Sequence, residues 1–191
     1  MNTKLLIIGA GGHGRSVAEA LLAAGVFDIA GFVDDNAPIS TEIFGLPILG
    51  QITDLPSLTD IASHVIVAIG HNPLRQQLSE QVLSLGFQLA TVIHPKAIVS
   101  PSAIIGSGVA VMAGAIVGTE AKLGTGVIVN CGAVVDHHAK VEDFAHLGVN
   151  ACMAGGSVLG ASAWMQAGSS LGYGVTITAN QVLLPNQGVV A

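Results

Sequence analysis

Titratable side chains are concentrated in one short stretch of a half of the chain that otherwise carries little charge. The segment AVVDHHAKVEDFAHLG, Ala133 to Gly148, holds three histidines, two aspartates, a glutamate and a lysine. From Ala97 to the C-terminus there are six charged side chains, and four of them lie in this segment. Because imidazole takes up and releases protons near neutral pH, the segment is a candidate for general acid–base chemistry.

A second candidate for chemistry is the glycine loop GAGGHG, Gly9 to Gly14, which follows a strand-like run and precedes a helix-like one. It satisfies G-x-G-x-x-G, a pattern whose glycines let backbone N–H groups and a helix N-terminus approach a phosphate. His13 within the loop could donate to a phosphate or sugar oxygen. Asp34 and Asp35 end the next strand, where a dinucleotide fold holds a ribose. The loop predicts a nucleotide site, and a turn that merely packs a helix on a sheet is the alternative.

The elements that must position this loop are short strands alternating with helices over the first 94 residues. A helix is predicted between the last two strands, with Asn72 as N-cap, Pro73 at the first helical position and Gly86 as its end. His71 and Arg75 flank Pro73 and either reach the substrate or simply begin the helix. We predict a small α/β domain of Rossmann character over residues 1–94, too short for two nucleotide-binding halves. Its strands are predicted at Lys4–Ala10, Asp28–Asp35, His64–Gly70 and Gln88–His94.

From about Pro95 the sequence changes to a six-residue repeat. Every sixth residue is a large aliphatic, and the residue two positions earlier is small or β-branched nearly throughout. A period of six fits neither a helix nor one long strand, and it predicts a parallel β-helix of short strands and tight corners over residues 95–191. The sixteen repeat positions are Val99, Ile105, Val111, Val117, Leu123, Val129, Val135, Val141, Leu147, Met153, Leu159, Met165, Leu171, Ile177, Leu183 and Val189.

Composition excludes several classes of function. Hydrophobic residues make up 51% of the chain and mean hydropathy is +0.70, yet apolar runs such as LLII and VIVAI are far shorter than a membrane span of about 20 residues. A net charge of -6 with six Lys and Arg argues against nucleic-acid binding. The two cysteines form no CxxC pair, and no signal peptide is recognised, so a cytoplasmic protein is expected.

The combined motifs resemble a known family. The motifs that carry the resemblance are GxGGHG, a following DD, AIG before a helix, and HPxAxVSPSAxIGxG leading into hexapeptides. The chain is similar to the hexapeptide-repeat sugar O- and N-acetyltransferases, which act on sialic acid or UDP-linked 4-amino sugars. The resemblance covers essentially the whole chain. It implies a left-handed β-helix of 18-residue triangular coils, acetyl-CoA bound along it, and a homotrimer. It also implies a sugar or sugar nucleotide on the N-terminal domain, at Gly11, Gly12, His13, Asp34, Asp35 and Gly70.

The same resemblance assigns roles to the histidines. VDHHAKVEDFAH matches the family pattern with His137 as the general base, which acts without a covalent acyl-enzyme, and with His146 at the acetyl-CoA site. Gly155 and Ala167 align with positions whose main chain lines the acetyl-CoA groove. His138 departs from the family, because relatives usually carry Glu or Asp there. The missing carboxylate partner is then Asp136, or Glu120 stacked one coil below His138, or a carboxylate from a neighbouring subunit. His138 itself remains a candidate catalytic residue.

Alternatives remain open. Lys140, Glu142 and Asp143 are read as solvated corner residues. A zinc site needs three or four converging ligands, and adjacent histidines at a corner tend to diverge, so no metal is expected. The competing functions are an NAD-dependent oxidoreductase and a non-catalytic sugar-nucleotide-binding scaffold. The sequence does not decide between an amine and a hydroxyl as acceptor.

Overall fold

The N-terminal domain is a six-stranded sheet covered on both faces. The computed structural model describes residues 3–39 and 41–190. The strand order is β3-β4-β2-β1-β5-β6, parallel except for the β3–β4 pair. The strands are β1 (Lys4–Ile8), β2 (Asp28–Val33), β3 (Glu42–Ile43), β4 (Leu46–Gly50), β5 (His64–Val67) and β6 (Gln88–Leu89). The helices are α1 (Gly12–Ala24), α2 (Asn72–Ser84) and a 3-10 helix (Ile52–Leu58).

Strand β1 shows why the sheet needs helices on both sides. Leu5 and Ile7 belong to the apolar cluster that includes α1, whereas Leu6 and Ile8 belong to the cluster that includes α2 and the 3-10 helix. Successive side chains of a strand point to opposite faces, so an unbroken run of aliphatics fits a strand that is buried on both sides. The loop after β1 is therefore held between two packed layers.

Helix α2 begins one residue earlier than the sequence predicts. The N-cap is His71, whose Nδ1 accepts a hydrogen bond from the backbone N–H of Leu74 at 3.3 Å. Asn72, the predicted cap, has a different partner, because its side-chain amide donates to the Ser162 carbonyl in the C-terminal half at 2.9 Å. The high propensity of Asn for the N-cap position predicted that Asn72 would cap the helix. Its side chain instead makes a long-range hydrogen bond.

The predicted strand Gln88–His94 is two strands in different sheets. Gln88–Leu89 completes the N-terminal sheet, and Val92–Ile93 forms β7, which pairs with Ala110–Val111 of the repeat half. The buried residues Ala90 and Val92 then join the cluster that packs on α1. The repeat architecture thus begins at β7, and the boundary after residue 94 stays a prediction.

The repeat half is a three-sided prism of parallel two-residue strands. The first face contains β7 (Val92–Ile93), β10 (Ala110–Val111), β13 (Ile128–Val129), β16 (His146–Leu147), β19 (Trp164–Met165) and β22 (Val182–Leu183). The second face contains β8 (Ile98–Val99), β11 (Ile116–Val117), β14 (Val134–Val135), β17 (Cys152–Met153), β20 (Ser170–Leu171) and β23 (Gly188–Val189). The third face contains β9 (Ile104–Ile105), β12 (Lys122–Leu123), β15 (Lys140–Val141), β18 (Val158–Leu159) and β21 (Thr176–Ile177).

The sixteen repeat positions fill the prism interior. Thirteen of them are buried, and Val99, Ile105 and Val189 are partly buried near its ends. Each buried aliphatic contributes about 1.5–3 kcal/mol relative to exposure, so the repeat is the main source of stability in this half. Residues 18 apart stack, since Lys122 pairs with Lys140 and His146 with Trp164. The predicted fold class, a Rossmann-like domain followed by a left-handed β-helix, is confirmed.

Corners of the prism require left-handed backbone. Glu120 and His138 occupy equivalent corner positions one coil apart, with φ of 56° and 60°. Such φ values are uncommon outside glycine. At this corner the shared conformation sends two titratable side chains out of the prism in one column.

Candidate functional site

His137 and His138 lie at the corner between the second and third faces. We call this region the histidine corner: residues 136–139 together with the residues stacked on them in adjacent coils. The side chain of His137 is about half exposed, at 46% of its full area. Its Nδ1 lies 3.0 Å from Nδ1 of His138, and the two rings meet edge to face. Its Nε2 has no hydrogen-bond partner among the described residues, so that nitrogen is open to a ligand.

Two carboxylates stand near these rings in different ways. Glu120 Oε2 lies 3.3 Å from Nε2 of His138 and does not reach His137. Asp136 Oδ1 accepts the backbone N–H of His137 at 2.7 Å, and its Oδ2 is 3.8 Å from Nε2 of His137. The predicted stacking of His138 over Glu120 is therefore present.

Glycine at 155 is required by the ring of His137. A Cβ built on Gly155, one coil above His137, would overlap that ring at 2.5 Å from Nε2. The ring therefore occupies the space beside the backbone of Gly155 that a side chain would otherwise fill. Tyr173, a further coil above, has its ring 6.4 Å from that of His137. The column His137–Gly155–Tyr173 forms an open shelf with an imidazole at its base.

The remaining acids of the opening stretch hold the backbone of neighbouring coils. Asp143 Oδ1 accepts from the Thr125 N–H at 2.7 Å, and Glu142 Oε2 accepts from the Ala161 N–H at 3.0 Å. Their carboxylates thus satisfy N–H groups at the corner between the third and first faces. This gives them a structural use at the surface and separates them from the histidine corner.

A first cavity of about 580 Å³ opens at the glycine loop. Helix α1 begins after Gly11, and no side chain from the described part of the chain caps it. Its first-turn N–H groups and the partial positive charge of a helix N-terminus suit an anion such as a phosphate. The cavity is lined by Ala10, Gly11, Arg15, Asp34, Asn36, Ala37, Pro38, Thr41, Glu42 and Ile43.

The glycines of the loop divide into structural and open positions. A Cβ on Gly14 would clash with the carbonyl of Gly9, and Gly9 itself has φ of 104° beside the Ala68 carbonyl. These two glycines let α1 pack against the sheet. A Cβ on Gly11 or Gly12 would meet nothing within 4 Å. Packing therefore does not explain the two middle glycines, whereas close approach of a ligand to the backbone would.

Asp34 and Asp35 face different ways. The Asp34 carboxylate accepts three backbone N–H groups, from Ala10 at 2.7 Å, Asn36 at 2.8 Å and Ala37 at 3.0 Å. Asp34 therefore ties the loop after β2 to the glycine loop while lining the first cavity. Asp35 Oδ1 accepts from the Ile52 N–H at 2.8 Å, and Asp35 lines a neighbouring depression instead.

A second cavity, of about 510 Å³, lies between the two halves of the chain. Gly70 and His71 line it from the N-terminal domain, and His146 and Trp164 from the first face. The rings of His146 and Trp164 stack with centroids 5.7 Å apart and an interplanar angle of 15°. Both ring nitrogens of His146 are buried and make no hydrogen bond of full geometry in the described chain, although the Gly70 backbone lies close enough to oppose the lowering of the His146 pKa by burial. Nε2 of His13 is likewise buried without a partner among the described residues.

Arg75 joins the two halves beside this cavity. It is 1% exposed, and all five of its N–H groups are used by protein acceptors. These acceptors are the carbonyls of Gly126 (2.7 Å), Ile69 (2.9 Å), Gly70 (3.3 Å) and Phe144 (2.6 Å), and Oδ1 of Asn72 (2.8 Å). The possibility that Arg75 reaches the substrate is therefore wrong, since no donor is left for a ligand. The fork geometry of guanidinium, which matches several acceptors at once, explains this use.

Burial controls the charge of both inner histidines. Burial, and then the positive charge of Arg75, lower the pKa of His146 from 6.5 to about 3. The same two causes lower the pKa of His13 from 6.5 to about 4. Burial lowers the pKa of Arg75 to about 10, which still leaves it charged at neutral pH. His13 and His146 are therefore neutral rings, able to exchange hydrogen bonds but not to offer charge.

We expect acid to destabilise the protein through His146. The pKa of His146 is lower in the folded state, so the unfolded chain binds the extra proton, and stability present above about pH 6.5 is lost as the pH falls through about 3. Between about pH 7 and pH 5 His146 contributes a loss of about 2 kcal/mol, and His13, whose pKa is lowered to about 4, adds about as much. Urea unfolding at both values measures it. His146→Phe keeps a ring on Trp164 without titrating, so its loss should be smaller; equal losses would contradict this origin.

The predicted site residues fall on opposite sides of the prism. The histidine corner is the edge of the triangle opposite the first face, and the first face carries His146 and contacts the N-terminal domain. Ala167 is exposed at a third place, the corner between the first and second faces. The structure thus brings together His137, His138, Asp136, Glu120 and Gly155. It also brings Gly70 close to His146, and Gly11 close to Asp34, but it does not unite these groups within one chain.

Sequence reasoning missed three residues of these sites. Tyr173 could have been found, because it lies two coils of 18 residues beyond His137. Trp164 lies 18 residues beyond His146 and stacks on it, but nothing in the sequence indicated the cavity beside the two rings. Arg75 carried no local signal for its role, because its partners Gly126 and Phe144 are remote in sequence.

Two features of other protein classes are absent from the described residues. No helix in residues 3–39 or 41–190 combines the length and apolar character that crossing a bilayer needs. Within the same residues, no three side chains of His, Cys, Asp or Glu converge as a set of metal ligands.

Comparison with known proteins extends over the whole chain. A family model described as the PglD N-terminal domain matches residues 4–82. UDP-N-acetylbacillosamine N-acetyltransferase of Bacillus subtilis (strain 168) is 38% identical over 112 residues, which are 56% of this chain and 50% of that protein. The match thus spans half the length of this curated relative.

Two solved structures match over nearly their full lengths. One is a mutant of GDP-perosamine N-acetyltransferase from Caulobacter crescentus in complex with CoA and GDP-perosamine; it is 38% identical, with a TM-score of 0.87 over 98% of this chain and 92% of that one. The other is the acetyltransferase domain of PglB from Neisseria gonorrhoeae FA1090, 39% identical with a TM-score of 0.77 over 100% of this chain and 97% of that one. A further structure of this domain contains acetyl coenzyme A.

Proposed function

This chain belongs to the family of hexapeptide-repeat sugar N-acetyltransferases that contains these relatives, and we propose that it transfers acetyl from acetyl-CoA to an amino group on a nucleotide-linked sugar. The observation that carries the proposal is the exposed imidazole of His137, whose Nε2 has no hydrogen-bond partner among the described residues and whose Nδ1 is held by His138. A base in this state can take a proton from an attacking amine.

The nucleotide part of the acceptor belongs to the first cavity in this proposal. The open backbone at Gly11 and Gly12 and the uncapped start of α1 would receive its phosphates. The Asp34 carboxylate accepts hydrogen bonds from three backbone N–H groups and so fixes the loops that line the first cavity. Its remaining lone pairs could accept a hydrogen bond from a ribose hydroxyl. Asp35 would contact only a ligand that extends into the neighbouring depression. His13 and Gly70 would act at the inner edge, nearer the second cavity.

The proposed chemical step is a direct transfer. The acceptor nitrogen attacks the thioester carbonyl carbon, the new C–N bond forms, and the C–S bond of acetyl-CoA breaks. His137 Nε2 takes the proton that the amine loses and gives it to the departing sulfur, so the enzyme ends as it began. No covalent acyl-enzyme is needed, because the acceptor itself is the nucleophile.

We propose that the complete site forms between copies of the chain, in a homotrimer. His146, Gly155 and Ala167 lie on three different parts of one prism. One elongated CoA molecule could touch all three positions only in a groove between neighbouring prisms. The same holds for the acceptor, because its proposed cavity is on the side of the chain that carries the first face, away from His137. The second face offers apolar contact area to a neighbour, since Ile98 and Ile116 are 65% and 38% exposed.

The alternatives are less well supported. An NAD-dependent oxidoreductase rests on the glycine motif alone, and the relatives matched here are named acetyltransferases. A non-catalytic scaffold would leave the shelf over Gly155 and the open Nε2 of His137 without a use.

The experiment that tests the proposal measures free thiol released from acetyl-CoA. Purified protein is given GDP-linked and UDP-linked 4-amino sugars, with sialic acid as a hydroxyl acceptor and NAD binding measured in parallel. We expect thiol release with a nucleotide-linked amino sugar and a product heavier by one acetyl group. Thiol release with sialic acid alone would replace the amine by a hydroxyl acceptor. NAD binding without acetyl-CoA binding would favour the oxidoreductase, and sugar-nucleotide binding without thiol release the scaffold.

A further inference from the structure

The side chain next to His137 is an imidazole in direct contact with it. The two Nδ1 atoms are 3.0 Å apart, and the ring planes are nearly perpendicular at 87°. At this separation one nitrogen must carry a hydrogen and the other must offer a lone pair. Which nitrogen carries the hydrogen decides whether Nε2 of His137 can act as a base.

Glu120 favours one arrangement of hydrogens on His138. Its Oε2 lies 3.3 Å from Nε2 of His138, and an ionised carboxylate can only accept. This contact favours a hydrogen on Nε2 of His138, and in the neutral form of that ring Nδ1 then keeps its lone pair. That lone pair requires the hydrogen on Nδ1 of His137, so Nε2 of His137 is the free basic nitrogen.

The position of Glu120 under His138 is fixed by the backbone, without help from the side chains of these two residues. Glu120 and His138 both have left-handed φ, and the His138 N–H donates to the Thr119 carbonyl at 2.9 Å. The Glu120 N–H donates to Ser102 Oγ at 3.1 Å. The two side chains thus leave equivalent corners in adjacent coils, which places the carboxylate under the imidazole.

Asp136 does not compete for this role. Its Oδ1 is taken by the backbone N–H of His137. Its Oδ2 is nearest to Nε2 of His137, at 3.8 Å, which is the nitrogen that must stay free and is beyond hydrogen-bond distance. Of the two carboxylates predicted as partners, Glu120 acts through His138 and Asp136 holds the turn.

We propose that His138 is a positioning residue: Glu120, His138 and His137 form a relay that keeps His137 in its Nδ1–H tautomer. The relay rests on the proposed function, since it serves His137 as a base. When Nε2 takes the proton of the acceptor amine, the Nδ1–H contact to His138 is retained. The proton later leaves from Nε2 to the sulfur of CoA, so the relay gains and loses nothing over the cycle. His138 thereby takes the place of the acid that the family pattern carries beside the base.

Nitrogen-15 NMR of the full-length protein with labelled histidines tests the relay without any substrate. At mildly alkaline pH we expect the hydrogen on Nδ1 of His137 and on Nε2 of His138. Single variants of each histidine assign the signals. A hydrogen on Nε2 of His137 would overturn the relay whether or not the protein transfers acetyl groups. If the expected tautomers are found but the protein releases no thiol, the relay stands and only the proposed function is contradicted.

Kinetics then separates positioning from packing. Glycine suits the φ of 60° at position 138, so His138→Gly should keep or raise the melting temperature. We expect its kcat to fall about 10-fold or more, with KM for both substrates unchanged. His138→Glu should recover most of the rate, because a carboxylate then contacts His137 directly. The chain already accepts Glu at φ of 56° in position 120, so this variant should fold.

A double-mutant cycle provides the decisive comparison. Glu120→Gln should lower kcat in the natural chain but not in the His138→Glu variant, where Glu120 is no longer part of the relay. Equal losses in both backgrounds would overturn the proposal, and so would full kcat in His138→Gly. A purely structural role for His138 predicts additive effects and no rescue.

Discussion

His137→Ala is expected to lower kcat by about 100- to 10,000-fold, because it removes the group that takes the proton from the acceptor. The ring is half exposed at a corner and contributes little to the core, so the melting temperature should change little. Binding of acetyl-CoA should also be retained, since no phosphate or thioester contact is assigned to this ring. Thiol release and acetyl-CoA titration measure the two effects. Unchanged turnover would refute the assignment of His137.

A companion variant moves the ring without changing it. In Gly155→Ala the new Cβ would overlap the ring at 2.5 Å from Nε2, so the imidazole must turn away. A surface ring can do this at little cost in stability, but a base displaced by about 1 Å can lose about 100-fold in rate. Gly188→Ala is the matched control, because its added Cβ comes no closer than 3.4 Å to Ser170 Oγ. Similar turnover in the two glycine variants would argue against the shelf over Gly155.

The largest expected loss of stability belongs to Arg75→Ala. The side chain is buried and gives five hydrogen bonds, two of them to carbonyls of the prism, Gly126 and Phe144. Truncation leaves these acceptors buried without donors, at about 1–3 kcal/mol each, and adds a cavity. We expect the free energy of unfolding to fall by about 3 kcal/mol or more, measured by urea denaturation.

The other arginine of the chain is the matched control. Arg15 is exposed, and its Nε makes one hydrogen bond, to the Ala10 carbonyl at 3.1 Å. Arg15→Ala should change the free energy of unfolding by about 0.5 kcal/mol at most. Arg75→Lys should lie between the two, because one ammonium cannot reach five acceptors. Equal stability of Arg15→Ala and Arg75→Ala would show that the contacts of Arg75 contribute nothing net.

The interface held by Arg75 has a consequence for the proposed site. Arg75 and Asn72 fix the start of α2 against the edge of the prism, and Gly70 then lies beside His146. The N-terminal domain is therefore held at the first face, away from the histidine corner of its own chain. In the proposed homotrimer, this placement would direct the acceptor to the proposed base, His137, of a neighbouring copy.

The repeat half shows how far a sequence alone can determine structure. Every hexapeptide adds one side of the same triangle, so a difference of 18 residues along the chain becomes one strand spacing in space. The register therefore determined the interior positions, the stacking of His138 on Glu120, and the column from His137 to Gly155. The same arithmetic could have identified Tyr173, which lies two coils beyond His137. Local periodicity is sufficient here because each coil contacts only its neighbours.

Tertiary structure alone decided what lies outside that register. The side chain of Asn72 does not cap α2 and instead donates a hydrogen bond to a carbonyl 90 residues away. The buried side chain of Arg75 donates to carbonyls 51 and 69 residues away. The strand predicted from Gln88 to His94 divided because two sheets compete for its ends. The orientation of the two imidazoles, and with it the free Nε2 of His137, also depends on side-chain contacts between coils. Such contacts depend on residues that are remote in sequence and meet only in the folded protein, so no local sequence pattern predicts them.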